Sequence, residues 1–527
     1  MTSATLHNHE FTTPVVRPVT MAPTAHPAPE ALRAERFAEL QRRMPAVHAA
    51  TREQRAGRSL VVVPSIEKRD APAASWQAYE ERLLCMLVML RDPGLSMVYV
   101  TSSPVAAPVV DYYLSLLPEL QRRSARRRLT LLSTCDATQR PLSEKLLEQP
   151  ELLATVRDAI AQPELACLVP YDATTVDRDV ALALDIPMYA ADPRLRYLGT
   201  KSGCRELFAR AGAPHPVGVE RLASADEAIA AIASLRARRP GIEQVVVKLN
   251  EGVSGNGNAI VDLRGLPRPG SAGEPAALEA RVAQMTLEAQ DLSVESYLNR
   301  LAVIGGIVEE RISAVELRSP SVQLNVTPAG EVEIVSTHDQ LLGGPSGQSY
   351  RGCCFPAEPE YAASITAIAL KIGAELARAG VIGRSAIDFV VARDGDGSWQ
   401  PYAIELNLRK GGTTHPFLTA ELLTHGDVRH YVAGDHVAVA GLGGRGAAAA
   451  IDRNGLAFDP QRGTGVVLHM LSAAAPLGLI GVTALAGTRD EAHALYERAA
   501  AVLSAPQVTD LAARRHAPHQ RAAIAAA

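Results

Sequence analysis

The 527-residue sequence lacks the composition that marks several specialised classes of protein. Aromatic residues make up only 4% of it, and the formal net charge is -4. With no large charge excess, neither nucleic acid nor an anionic membrane is expected as a partner. The local exception is an arginine cluster between residues 122 and 128, which we interpret as the solvated end of a helix before a strand.

Cysteines and long apolar runs are also scarce. No two cysteines have the C-x-x-C spacing of a zinc or thiol redox site, and packing is their expected role. The six are Cys85, Cys135, Cys167, Cys204, Cys353 and Cys354. The longest apolar stretch, residues 465–487, is broken by His469 and Pro476 and predicts two strands and a loop. No secretory signal is predicted, and a cytoplasmic location is expected.

The length suggests about three domains. Residues 1–55 predict a disordered arm followed by one helix, and residues 506–527 predict a flexible tail. Between residues 56 and 192, continuous apolar strands alternate with amphipathic helices. This alternation predicts a doubly wound α/β domain, a parallel sheet covered on both faces.

Beyond this region the pattern changes to hairpins and single helices. Residues 200–211 predict a helix that ends at Gly212. Two hairpins follow, one turning in a glycine-rich segment after Lys248 and one in an Asp/Gly cluster. The last part predicts two strands and a helix capped by Thr488.

The second hairpin carries a pattern of oxygen ligands. Glu405, Asn407 and Arg409 alternate with aliphatic residues, so the three polar groups share one face of a predicted strand. A solvated amphipathic strand is the ordinary alternative. The partner strand carries Asp388, so pairing brings two carboxylates and an amide oxygen together. These hard ligands suit Mg²⁺ that bridges to phosphates, and they suit zinc poorly.

A second pattern suits a phosphate group. Lys248 ends an apolar strand, and the loop after it contains Gly252, Gly255 and Gly257, whose backbone amides can close on an anion. A surface hairpin with a flexible turn is the alternative. Lys201, at the start of its helix, is a second candidate phosphate ligand.

Two nucleotide-binding fingerprints are absent or incomplete. The sequence contains no G-x-x-x-x-G-K-[ST] P-loop. A G-x-G-x-x-G does occur at Gly441, Gly443 and Gly446, but a dinucleotide site needs a full helix next and an acidic residue about 20 positions on. We interpret this segment as a flexible linker.

The order of these motifs resembles the ATP-grasp superfamily: lysine helix, lysine strand, glycine loop, VEERI, D-x-F-V and E-x-N-x-R. More narrowly, SPSVQL, STHDQLLGG, GCCFP and IELNLRKGGTTHPF resemble the peptide ligases related to the one in pheganomycin biosynthesis. The resemblance implies a pre-ATP-grasp domain at 56–192, an ATP-grasp domain of two α+β subdomains at 193–432 and a small α+β domain at 433–505. The glycine-rich lid would lie near 248–260.

The resemblance also implies roles for individual residues. The nucleotide-binding set would be Lys201, Lys248, Gly252, Ser254, Gly255, Gly257, Glu309, Glu310, Ile312 and Glu316, with Glu316 a candidate for the ribose hydroxyls. The metal set would be Asp388, Glu405 and Asn407, with Glu405 bridging two Mg²⁺ ions that Mn²⁺ can replace.

The cation that stabilises the transition state is the point at which the sequence departs from the pattern. Many ATP-grasp ligases carry arginine two residues before the metal aspartate, where this chain has Ala386. Arg409 would face the acyl phosphate, and Arg384, Arg409 or Arg351 would supply the missing charge. In the segment KGGTTHP a structural turn is the alternative to substrate orientation by Lys410, Thr413, Thr414 and His415, the last also a candidate general base.

These features predict an ATP-dependent carboxylate–amine ligase that makes a peptide bond through an acyl phosphate and releases ADP and phosphate. Its substrates would be an amino acid or other carboxylate and the amine of an amino acid or peptide, in natural-product or peptide biosynthesis. The alternatives are a silent ATP-binding regulatory module and an ATP-grasp enzyme with a non-amine acceptor. The sequence leaves monomer and homodimer both open.

Overall fold

The protein is described from a computed structural model that covers residues 29–67, 73–252, 257–289, 292–343, 349–395 and 397–505. The disordered arm predicted at the N-terminus falls almost wholly, and the flexible tail wholly, outside the described residues. Two predicted phosphate-loop residues, Ser254 and Gly255, also lie outside them.

The first part of the chain forms a four-stranded parallel sheet of order β3-β2-β1-β4, as its continuous apolar segments predict. Its strands are β1 (Arg58–Val63), β2 (Leu95–Thr101), β3 (Leu129–Ser133) and β4 (Ala166–Pro170). Its helices are α1 (Glu30–Gln41), α2 (Met44–Arg52), α3 (Ala73–Glu80), α4 (Ala107–Ser115), α5 (Glu119–Arg127), α6 (Leu142–Leu147), α7 (Pro150–Asp158) and α8 (Thr175–Leu184). Most residues of a 3₁₀ helix at Glu81–Arg91 are buried. Shorter 3₁₀ turns lie at Pro163–Leu165, Pro193–Gly199 and Leu471–Ala473.

The middle part forms a five-stranded antiparallel sheet of order β5-β9-β6-β7-β8. The strands are β5 (Gly218–Leu222), β6 (Gln244–Leu249), β7 (Asn258–Asp262), β8 (Thr286–Leu287) and β9 (Gly306–Glu310). The helices are α9 (Lys201–Arg210), α10 (Ala225–Arg238), α11 (Glu274–Val282) and α12 (Val294–Ile304). The Thr200 side chain caps α9 by accepting from the Gly203 amide, and Gly212 follows the helix in a left-handed conformation, as the sequence predicts.

The third sheet is antiparallel and has nine strands, in the order β10-β14-β11-β12-β13-β16-β18-β17 with β15 paired to β14. The strands are β10 (Glu316–Arg318), β11 (Pro320–Val326), β12 (Val332–Gly343), β13 (Ser349–Phe355), β14 (Gly383–Arg393), β15 (Trp399–Asn407), β16 (His430–Ala438), β17 (Gly465–His469) and β18 (Leu479–Ala486). The helices are α13 (Pro359–Arg378), α14 (Thr414–Leu423), α15 (Gly444–Arg453), α16 (Ala474–Leu477) and α17 (Arg489–Ser504). The C-terminal strands thus extend the sheet that carries Asp388 and Glu405.

Several local predictions are confirmed and two are wrong. Thr488 and Glu491 form the capping box of α17. The segment interpreted as a flexible linker instead enters α15 at Gly444, because its alanine-rich continuation buries one side of the helix. Cys135, expected in the core, is exposed, whereas the other five cysteines are buried.

The N-terminal sheet is joined to the third sheet through the 3₁₀ helix Glu81–Arg91. One hydrophobic cluster joins the 3₁₀ helix Glu81–Arg91 to α14 and to strands β16, β17 and β18. This packing aims the carboxyl ends of β1 and β4 at the β14–β15 hairpin, where α/β sheets commonly hold their ligands. None of the helices within the described ranges has the length and apolar character needed to cross a membrane.

Candidate active site

A cavity of about 780 Å³ lies where the three sheets converge. Its volume is in the range of pockets that enclose a nucleotide-sized ligand. The N-terminal sheet lines it with residues that directly follow β1 and β4, and the middle sheet contributes the ends of β6 and β9. The third sheet supplies residues from β11 to β15, including Asp388, Glu405 and Asn407.

The β14–β15 hairpin brings the three predicted metal ligands together. Asp388 pairs with Glu405 in the register of the hairpin, and the Asn407 Nδ2 donates to the Asp388 Oδ2 at 2.9 Å. A β-bulge leaves Ile404 as the extra residue, since Asp388 pairs with Glu405 but Phe389 pairs with Ala403. All three polar side chains line the cavity.

The two carboxylates behave differently as acids. Burial and the neighbouring Glu405 charge raise the pKa of Asp388 to about 6. Burial alone would raise the pKa of Glu405, but the charge and hydrogen bond of Lys201 outweigh it and hold that pKa below its usual value. The site therefore holds more buried negative charge than its lysine neutralises.

This excess charge fits a divalent cation. Two carboxylates and an amide offer hard oxygen ligands, and Mg²⁺ completes its shell with water and substrate phosphates. Among the described residues, no group of three His, Cys, Asp or Glu side chains is arranged to hold a metal ion by itself. Asp388, Glu405 and Asn407 would therefore hold the cation jointly with a bound nucleotide.

Both predicted phosphate lysines face the cavity and are held by glutamates. Lys201 Nζ lies 2.5 Å from Glu405 Oε1, and Lys248 Nζ lies 2.5 Å from Glu309 Oε1. The second oxygen of Glu309 accepts from Arg205 at 2.7 Å. Lys201 and Lys248 are both buried apart from their cavity face, so each ammonium is fixed in position before any ligand binds.

The glycine loop and the β9 end border the same space. Gly252 and Gly257 line the cavity, and a Cβ added at Gly252 would lie 3.2 Å from the Gly257 amide nitrogen, so the two ends of the loop meet closely. Glu309, Glu310 and Ile312 also line it. The described chain therefore presents amides and an apolar side chain at the predicted nucleotide position.

Glu316 does not share this position. It lies on the edge strand β10, whose Leu317 lines the cavity, but Glu316 itself does not, and its carboxylate forms ion pairs with Arg318 and Arg393. Glu310, which does line the cavity, pairs with Arg239. The prediction that Glu316 faces the ribose hydroxyls is corrected: edge-strand pairing turns it toward two arginines of its own sheet.

Of the predicted catalytic arginines, only Arg409 and Arg351 reach the cavity. Arg409 Nε lies 3.6 Å from Asp172 Oδ1, and its Nη1 donates to the Lys410 carbonyl at 2.8 Å. Arg384 instead pairs with Glu421 at 3.3 Å, outside the lining. Ala386 is itself part of the cavity wall, so no arginine of β14 occupies that place.

His415 is a further correction. It is 1% exposed and lies behind the cavity wall, with Nε2 3.2 Å from Asp435 Oδ1 and its ring 4.9 Å from that of His469. Burial lowers the pKa of His415. Its place at the start of α14 draws it into the core, so it reaches no substrate as a general base.

The other residues of the KGGTTHP segment form two groups, those that line the cavity and those that lie behind its wall. Gly411, Gly412 and Thr413 line the cavity. Lys410 Nζ is buried and donates to the Pro170 carbonyl at 2.6 Å, and Thr414 contacts Gln323. Lys410 and Thr414 therefore support the wall rather than face a substrate.

Two residues of the STHDQLLGG segment, His338 and Asp339, also support the wall. His338 is fully buried, with Nε2 2.6 Å from the Tyr431 hydroxyl. Asp339 accepts from the Glu358 amide and from the Tyr361 hydroxyl. Neither side chain lines the cavity.

Sequence reasoning missed the contribution of the N-terminal sheet. Glu67 follows β1, Tyr171 and Asp172 follow β4, and Arg82 comes from the 3₁₀ helix; all line the cavity. Arg82 forms an ion pair with Asp435 and donates to the Tyr171 hydroxyl at 3.2 Å. The predicted sheet topology could have indicated the residues after β1 and β4, because ligand sites of open α/β sheets lie beyond the carboxyl ends of their strands.

Solved structures share this architecture. A biotin carboxylase from Campylobacter jejuni, in complex with β-γ-ATP, aligns with a TM-score of 0.54 at 14% identity, covering 85% of this chain and 91% of that chain. An ADP complex of N5-carboxyaminoimidazole ribonucleotide synthetase aligns with a TM-score of 0.50 at 12% identity, covering 84% and 97%. At these identities the likeness shows the fold.

Comparison with sequence relatives identifies the family to which the chain belongs. The IQCH-like, ATP-grasp family matches residues 194–275 and 271–427, and the PGM1 C-terminal domain matches residues 447–499. The L-propargylglycine–L-glutamate ligase of Streptantibioticus cattleyicolor is 31% identical over 449 residues, which cover 81% of this chain and 89% of that enzyme. The IQ motif-containing protein H of Danio rerio is 24% identical over 400 residues, which cover 67% of this chain and 38% of that protein.

The chain therefore belongs to the ATP-grasp superfamily of ligases. Within the superfamily it is grouped, by similarity along most of both chains, with the L-propargylglycine–L-glutamate ligase. The predicted family, fold class and enzyme class are confirmed: the protein is an ATP-dependent ligase that forms carbon–nitrogen bonds and acts on small molecules.

Proposed function

We propose that the protein joins the carboxylate of one amino acid to the amine of a second amino acid or short peptide. The observation that carries this proposal is the shared cavity in which Asp388, Glu405 and Asn407 meet Lys201 and Lys248. Similarity to a ligase named for two amino acids supports the substrate class. A role in natural-product or peptide biosynthesis follows from the same likeness.

The nucleotide would lie between the middle and third sheets. Lys201 and Lys248 would bind its phosphates, and the backbone amides of Gly252 and Gly257 would lie beside them. The adenine would lie beside Glu310 and Ile312 at the end of β9. Glu309 would act indirectly, because both its oxygens already hold Lys248 and Arg205.

The chemistry begins when the donor carboxylate attacks the γ-phosphorus of ATP and ADP leaves, giving an acyl phosphate. Asp388, Glu405 and Asn407 would hold Mg²⁺, as two ions, and the metal would supply charge neutralisation at the phosphates; Mn²⁺ is expected to substitute. Lys201 and Lys248 add fixed positive charge to the same oxygens. Closure of the site keeps water from the acyl phosphate.

Amide formation then needs a stabilised tetrahedral oxyanion. Arg409 and the backbone amides at Gly411 and Gly412 line the cavity directly after the carboxylate strand, so they are suited to that charge. The amine attacks the acyl carbon, phosphate departs with the bonding electrons, and the surplus amine proton passes to phosphate or water. His415 takes no part in this step.

The experiment combines the protein with ATP, Mg²⁺ and a panel of amino acids and dipeptides, and it measures phosphate release alongside product masses. We expect phosphate release that depends on an amine and matches a condensation mass. ATP binding without turnover would favour a regulatory module, and phosphate release without an amide would favour another acceptor.

Size-exclusion chromatography with light scattering tests the homodimer, and cell fractionation tests the cytoplasmic location; both remain predictions.

A further inference from the structure

A β-bulge in the third sheet aims an arginine into the cavity. Leu341 pairs with Gly352 but Leu342 pairs with Tyr350, so Arg351 is the extra residue of β13. In a regular strand, consecutive side chains point to opposite faces. Here Tyr350 and Arg351 both line the cavity, which a bulge permits because it re-aims one side chain.

Arg351 differs from the other cavity cations because no described residue forms a hydrogen bond or ion pair with its side chain. Each of the others makes a side-chain contact to an acid or an amide oxygen: Lys201 to Glu405, Lys248 to Glu309, Arg82 to Asp435, Arg409 to Asp172 and Arg311 to Gln244. Within the described ranges, neither a hydrogen bond nor an ion pair involves the Arg351 guanidinium. Its charge is therefore available to a ligand.

Arg351 also lies away from the site of phosphoryl transfer. The strand order places β11 and β12 between β14, which carries Asp388, and β13. Three strand spacings put the β13 backbone about 14 Å from that of β14. Ser321 of β11 and Gln340 of β12 line the floor between them, and Gln340 donates to Asp388 at 2.7 Å. An anion bound at Arg351 would therefore lie on the β13 side of the acyl phosphate and apart from the metal ligands.

Tyr350 ties this position to the segment that follows the carboxylate strand. A Cβ added at Gly412 would lie 2.6 Å from the Tyr350 Cε1, so the tyrosine ring rests on that glycine. The ring and the guanidinium both line the cavity, next to the segment that follows the carboxylate strand. An apolar wall beside an unpaired guanidinium suits an amino acid with a free carboxylate.

We propose that Arg351 binds the non-reacting carboxylate of an amino-acid substrate and thereby selects free amino acids over their amides. The proposal rests on the proposed ligase function and adds a specificity-determining residue to it. The carboxylate belongs either to the acceptor amino acid or to the α-position of a donor that is activated through its side chain. Both sources present the same chemistry to the guanidinium, as a bidentate ion pair.

The test compares the wild-type protein with Arg351→Met, Arg351→Lys and the control Arg378→Met, an exposed arginine of α13. In the acceptor arm, glycine, L-alanine and L-leucine are each compared with their amides. In the donor arm, L-glutamate is compared with its α-amide, which keeps a side-chain carboxylate to activate. The readout is kcat/KM for amide formation, with the KM for ATP measured in parallel.

We expect Arg351→Met to lower kcat/KM for the free acid by about 10- to 100-fold in one arm, as for loss of a charged hydrogen-bonded pair. The amide should react equally well with the variant and the wild type, the KM for ATP should stay within twofold, and Arg351→Lys should recover part of the loss. Equal effects on acid and amide in both arms, or no effect, would overturn the assignment. Absence of any condensation product from the wild type would instead contradict the proposed function itself.

Discussion

Lys201 and Glu405 form an ion pair, Nζ to Oε1 at 2.5 Å, that joins the first helix of the grasp to the returning strand of the carboxylate hairpin. The pair joins the proposed phosphate ligand Lys201 to the proposed metal ligand Glu405. A carboxylate that ligates a cation no longer neutralises its lysine. We therefore expect a cation at Glu405 to weaken the contact with Lys201 and to favour the binding of Lys201 to phosphate.

Replacing Glu405 should abolish turnover. Glu405→Gln keeps the size of the side chain but removes the charge that holds both Lys201 and the cation, so we expect kcat to fall about a thousandfold or more. Phosphate release under saturating ATP measures it. Glu316→Gln is the matched control, because Glu316 lies outside the cavity; a kcat or ATP KM that changes more than twofold in this control would restore Glu316 to the nucleotide site.

Removing the Lys248 charge should weaken ATP binding. We expect Lys248→Met to raise the KM for ATP by about 10- to 100-fold, since a charged hydrogen bond to phosphate is lost. Glu309→Gln should act in the same direction, because Glu309 fixes the Lys248 ammonium. Lys371→Met, an exposed position of α13, serves as control. A wild-type KM in Lys248→Met would show that Lys248 does not contribute to phosphate binding.

We expect His415 to stabilise the fold and to have no catalytic role. Its Nε2 contacts Asp435, so His415→Gln leaves a buried carboxylate less well paired and is expected to cost about 1–3 kcal/mol of unfolding free energy. The kcat of the folded variant should keep the wild-type pH profile. Urea unfolding and a pH series of initial rates measure the two quantities. A variant of normal stability whose kcat lost one limb of its pH profile would return His415 to the mechanism.

The stability of the protein should fall in acid partly because of His338. Burial lowers the pKa of this histidine to about 3, so the folded state keeps it neutral while the unfolded chain protonates it below about pH 6.5. The unfolded state then binds more protons, and stability is lost as pH falls from 6.5 toward 3. Between pH 7 and pH 5 the loss is about 2 kcal/mol.

His338→Gln isolates this contribution. The variant should lose about 2 kcal/mol less than the wild type over the same pH interval, whatever its stability at pH 7. Urea unfolding midpoints at several pH values provide the comparison. Parallel pH dependences of the two proteins would mean that His338 titrates normally in the fold.

Local patterns predicted the elements of this fold well. Continuous apolar runs predicted the parallel sheet, and alternating residues around Glu405 predicted which side chains of β15 share a face. The pairing of Asp388 with Glu405 followed from the hairpin alone. These features depend on neighbours in sequence or on one short turn.

The misplaced residues depend on contacts between distant segments. His415 and Lys410 were drawn into the wall by Asp435 and by the Pro170 carbonyl, which lie far from them in sequence. Arg82 lines the cavity because the 3₁₀ helix that carries it lies between the N-terminal sheet and the third sheet. The bulge at Arg351 is a register shift between β12 and β13 that strand alternation cannot reveal.

The acyl phosphate is the centre of this account, and oxygen isotope transfer tests it most directly. The protein is given ATP, Mg²⁺, the accepted amine and a donor whose reacting carboxylate carries ¹⁸O, and the released phosphate is analysed by mass spectrometry. The account predicts one ¹⁸O in each phosphate released, because the donor oxygen stays with phosphorus when the amine displaces it. Unlabelled phosphate alongside the amide product, or label in AMP, would contradict it.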